Sequence, residues 1–114
     1  MDINNTLNST QVSTEMPKMI AKRTGRSTMY YIPYNIVEDN GTYNFKYVLL
    51  SPGDYNYGGL VDAIIGVKYS LRDFLAVIAN YAIDPKNSKY ESEFLELQEW
   101  RKFAKDESRK HFNL

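Results

Sequence analysis

The chain has 114 residues, no cysteine, and fourteen basic side chains balanced by fourteen acidic ones. This length holds one domain with a modest core, and the cancelled charge removes the overall field that a nonspecific nucleic-acid or membrane-surface binder uses. The lack of cysteine excludes disulfides, thiolate catalysis and cysteine-ligated zinc or iron–sulfur centres, while 10 Tyr is the enrichment expected of a small protein that works by contact.

Residues 1–26 are expected to form an extended arm. Nine of the first fourteen are Asn, Ser, Thr or Gln, too polar to hold a regular element in a core of their own. The opening MDINNTLNST has no basic or apolar leader region, so no secretion signal is expected, and the sequons at Asn4, Asn8 and Asn40 are taken as chance matches. Apolar runs such as VLL and AII are far too short to span a membrane. Within the arm, Lys18, Lys22, Arg23 and Arg26 are four cations in nine residues with no acid among them.

From Ser27 the texture becomes strand-like: STMYYIPYNIV, then a turn at Asp39-Asn40-Gly41, then YNFKYVLL. This predicts a β-hairpin over 27–50. Pro33 donates nothing to a ladder, so its strand should be an edge or be broken there. SPGDYNYGG, residues 51–59, reads as the loop from hairpin to helix. Gly58-Gly59 would let the chain turn, and Asp54 and Asp62 would repel any anion drawn to the helix start. Three helices are expected over about 60–69, 71–83 and 89–110. Ser70 with Asp73 forms a cap for the second, and Asn87-Ser88 one for the third. The second places Leu71, Phe74, Leu75, Ile78 and Ala82 on one face and is expected to be the best core helix. The third carries Glu91, Glu93, Glu96 and Glu99 in its first half and Arg101, Lys102, Lys105, Arg109 and Lys110 in its second, the order that complements a helix dipole. The fold class is therefore α+β: an N-terminal arm (1–26), then a single small domain (27–114) of one hairpin and three helices packed as a small helical body.

Phosphate loops, dinucleotide fingerprints and metalloprotease or serine-hydrolase motifs are absent. The single histidine, His111, sits near the chain end, where it reads as a group favoured at a helix C-terminus. The glutamates of the last helix read as a solvated face, so no catalytic residue, cofactor or metal site is expected.

The segment KYSLRDFLAVIANYAIDPKNSKYESEFLELQEWRKFAK, residues 68–105, carries Tyr69-Ser70 before a helix, Ala79-Asn80-Tyr81, and Leu97-Gln98-Glu99-Trp100-Arg101. In this it resembles small proteins of crAss-like tailed phages of gut bacteria. The resemblance implies a phage setting, in which a short cysteine-free protein is a repeated virion component such as a capsid accessory or a neck or tail part, assembled in the host cytoplasm. The expected function is thus a noncatalytic structural or interaction protein that docks on neighbouring protein subunits, in several copies, through its arm and hairpin. Lys18, Lys22, Arg23, Arg26, Tyr55 and Tyr57 are its candidate contacts. The alternative is a small nucleic-acid-binding accessory protein using the basic arm, with tyrosines stacking on bases.

Overall fold

The computed structural model describes residues 9–114. Four strands precede three helices: β1 (Gln11–Ser13), β2 (Ile20–Thr24), β3 (Ser27–Asp39), β4 (Thr42–Leu50), a 3₁₀ turn over Pro52–Asp54, then α1 (Tyr57–Lys68), α2 (Leu71–Ile83) and α3 (Ser88–Phe112). The protein is α+β. No helix among the described residues is long and apolar enough to cross a membrane. The chain divides into two compact units, one running as far as Leu60 and the other from Val61 to Leu114.

In the first unit the sheet is four-stranded and antiparallel, in the order β1-β4-β3-β2. This corrects the expectation of a lone hairpin behind an arm, because residues 11–13 and 20–24 of that arm are edge strands. Their side chains lack an apolar pattern, with Val12, Ile20, Ala21, Lys22 and Arg23 all exposed. What recruits them is the row of unpaired backbone groups along each flank of the β3–β4 ladder, a demand that side-chain periodicity does not report. The rest of the predicted arm, residues 1–8, lies outside the described residues.

β3 and β4 turn at Asn40 and Gly41, both at positive φ (51° and 83°), which suits the twist of a two-residue hairpin. Between Tyr34 and Val37 the register slips, and Asn35 at φ 53° marks the bulge. Pro33 lies in β3 beyond the Ile20↔Tyr31 pair where β2 begins, so on that flank the strand is already an edge and needs no donor. Both faces of the sheet carry buried side chains: Tyr31 and Phe45 on one, Ile32, Tyr34, Val48 and Leu50 on the other. β1 and β2 occupy opposite edges, so residues 14–19 must cross the sheet. Three strand spacings sideways and roughly six residues lengthwise make a diagonal of about 25 Å, which the seven Cα steps just span when extended.

α1 begins at Tyr57, three residues before the expected start at 60. Asn56 supplies the reason, since its Oδ1 accepts from Gly59 N at 2.8 Å and its carbonyl from Leu60 N at 3.0 Å. Gly59 is held tightly: a β-carbon there would run into the Asp54 carbonyl, whereas one on Gly58 would meet only Asn56 Oδ1 at 3.5 Å. In the second unit Ser70 caps α2 by accepting from Asp73 N at 3.1 Å, and Asn87 caps α3 by accepting from Lys89 N and Tyr90 N. Val61, Ile64, Leu97, Ala104 and Ser108 are its buried residues, and the Ser108 hydroxyl donates to Ala104 O at 2.8 Å. The Trp100 indole N–H donates to Ile64 O at 3.0 Å, which ties α3 to α1.

The two neighbouring glycines should therefore respond differently to substitution. Gly59→Ala is expected to lower unfolding free energy by about 1–3 kcal/mol, the usual range for forced overpacking, and Gly58→Ala to lie within about 1 kcal/mol of the parent. Urea titrations followed by circular dichroism check both values.

Candidate docking surface

The basic residues of the arm do not form one face. Lys18 lies in the segment that crosses the sheet, Arg26 in the β2–β3 turn, and Lys22 and Arg23 side by side on β2. Successive residues of a strand point to opposite sides. Lys22 pairs with Met29 and sets its ammonium 5.2 Å from the Tyr31 ring, while Arg23 pairs with Thr28 on the other side and donates from Nε to Gly25 O at 3.3 Å. Both side chains are exposed, on opposite faces of an edge strand.

Tyr55 and Tyr57 are half-buried. The Tyr55 ring packs on Tyr30 of β3 at 5.0 Å between centroids, so much of its surface is spent within the first unit. Asp54 accepts from the Ser51 hydroxyl at 2.9 Å, and Asn56 takes the Gly59 N–H. Asn56 thus occupies an N–H at the start of α1, and Asp62 is exposed.

Carboxylates on α3 do not converge. Glu96 is paired with Lys68 at 2.9 Å, and that hydrogen bond raises the Lys68 pKa above its ordinary value. Among the described residues no group of three or more His, Asp or Glu could hold a metal ion. His111 is half-buried, with its ring edge-on to Phe112 at 4.9 Å, and burial lowers its pKa below the ordinary 6.5. Desolvation thus outweighs the helix-end field that favours the charged form.

The informative surface is on α2. None of its thirteen residues is buried, and Leu71, Leu75 and Ile83 are 74, 55 and 84% exposed. This corrects its assignment as the best core helix. Its apolar positions fall in two adjacent rows, Phe74-Val77-Tyr81 and Leu71-Leu75-Ile78-Ala82. α3 contacts the first, where Tyr81 stacks on Phe94 at 4.1 Å and the Arg101 guanidinium lies 5.9 Å from the Phe74 ring, while in the second only Ile78 is half-buried and Leu71, Leu75 and Ala82 are exposed. The periodicity places Leu71, Phe74, Leu75, Ile78 and Ala82 together as a core face because amphipathicity says which side avoids water, not how many neighbours supply cover. The signal available was the arc's width, which spans more than one helix contact.

Next to this row is a groove of about 450 Å³ between α1, α2 and α3, walled by Val61, Ile65, Leu71 and Phe74, with Arg101 and Lys105 at its polar side. Asp62 also reaches it, so its charge is mixed. The Arg101 guanidinium is occupied by Gln98 Oε1 at 3.1 Å and by the Phe74 ring.

No family model matches this chain, and no curated protein or solved structure does either.

The His111 environment sets a sign for pH dependence. With its folded pKa below 6.5, the unfolded chain takes up the proton first, so the His111 contribution is complete above 6.5 and is lost as pH falls through 6.5 toward the folded value. The urea midpoint should drop between pH 7.5 and 5.5, and His111→Gln should flatten that drop.

Proposed function

We propose that the protein is a noncatalytic interaction protein, a small component of a larger assembly that docks on neighbouring protein subunits. Given the resemblance of residues 68–105, we read that assembly as a tailed-phage particle built in the host cytoplasm. The observation that carries the reading is α2, a capped helix with an apolar arc and no buried residue. A second apolar row left in water costs roughly 25 cal/mol per Å² of apolar surface relative to a covered one. Contiguous apolar exposure of this kind marks contact sites in soluble proteins.

The exposed cations of residues 18–26 offer a further, weaker contact with an acidic protein surface, and the outer flanks of β1 and β2, which pair with no other strand among the described residues, offer backbone groups to an added strand. A nucleic-acid role draws less support. Lys22 and Arg23 point to opposite faces, so they do not line one track for a phosphate backbone.

At native expression level the chain should sediment with assembled particles in extracts of the producing cells, and mass spectrometry of purified particles should find it in several copies. Recovery of all the chain as a free species of its own size would overturn the proposal.

A further inference from the structure

The two α2–α3 contacts, Phe74 with Arg101 and Tyr81 with Phe94, run in opposite chain directions, so the helices form an antiparallel hairpin. One position C-terminal to each contact residue come Leu75 and Ala82 on α2, and Lys102 and Leu95 on α3. An antiparallel pair has an approximate two-fold axis normal to its plane, so equal rotations on the two helices bring these four residues out on the same side. There Leu71, Leu75, Ile78 and Ala82 recur at spacings of four, three and four, the seam of a helix that packs along a neighbour. On α3 the same side holds Leu95, itself 54% exposed, with Glu91 toward one end, Glu99 near the middle and Lys102 and Lys105 toward the other. Asp106, also near this face, is already paired with Arg109 at 3.3 Å.

We propose that this face pairs with the same face of a second copy, so that two helical hairpins close into an antiparallel four-helix bundle. The inference rests on the interaction reading above and names the partner. Charge order selects a second copy over other occupants. An acidic or a basic partner lying along α3 is attracted at one end and repelled at the other. A two-fold axis in the interface and perpendicular to α3 sets Glu91 of each copy toward Lys102 and Lys105 of the other, and lays the uncharged α2 seam on itself. Thirteen residues give α2 a length of about 20 Å, and two helices side by side a width of about 20 Å. The two copies together would bury on the order of 1,000 Å², the low end for a specific interface, so the dimer forms at micromolar concentration.

Sedimentation equilibrium of the full chain over about 1–200 µM, a range that brackets a micromolar Kd, tests this. A reversible monomer–dimer equilibrium is expected, weakened at least about tenfold by Leu75→Glu and by Leu71→Glu, the loss typical of an interface anchor. Circular dichroism should show unchanged helix in both, and added salt or Lys102→Glu should also weaken the dimer. Ile83→Glu, exposed but off the seam, should leave it intact. A wild-type monomer across the whole range, or a dimer indifferent to both leucine substitutions, overturns the pairing. A monomeric purified chain that still travels with assembled particles would do so while leaving the interaction reading in place.

Discussion

The β3–β4 ladder is the interaction on which the rest of the first unit depends. Among the described residues β1 pairs with β4 alone and β2 with β3 alone, so neither edge strand has a template until the long pair has formed. The pair is locally specified. Asn40 and Gly41 adopt positive φ at low cost, and β-branched and aromatic residues on both sides bury Tyr31, Ile32, Tyr34, Phe45, Val48 and Leu50. Edge addition then satisfies backbone groups on each flank, and the segment between β1 and β2 is drawn across the sheet because its ends have been claimed by opposite edges.

The second unit obeys a different constraint. Its buried set is small, Val61, Ile64, Leu97, Ala104 and Ser108, and lies on α1 and α3. α2 is held from one side by two aromatic contacts and by the short connection to α3. Its helical state needs no deep burial, since Ser70 caps its start and Leu, Ala and Arg favour the conformation. This combination, locally stable and tertiary-poor, leaves an apolar row largely without cover, and it is why the functional reading turns on α2 and not on the basic arm.

The segment that looked most like a ligand loop serves construction. In SPGDYNYGG, Asp54 is bonded to Ser51, Tyr55 packs on Tyr30, Asn56 caps α1, and Gly59 passes against the Asp54 carbonyl where no other residue fits. The Gly59 and Leu60 N–H groups at the helix start, two that an anion would use, are taken by Asn56. The neighbouring groove carries Asp62 against Arg101 and Lys105, so its field has no single sign.

Sequence alone determined what depends on near neighbours in the chain. The α+β class, the caps Ser70 and Asn87, and the end of α2 at Ile83 before the turn at Asp84-Pro85 follow from propensity, hydrogen bonds three residues long and the steric demand of proline. Tertiary structure alone decided the strand count, because β1 and β2 are recruited by the backbone of another strand and their side chains carry no pattern. It decided the start of α1, where Asn56 competes as a cap with the glycines that follow it. It also decided which apolar residues are covered: Leu71, Leu75 and Phe74 share one arc in the sequence, but Phe74 is half-buried against Arg101 while Leu71 and Leu75 stay exposed, because cover is a property of what packs alongside a helix and not of the helix itself.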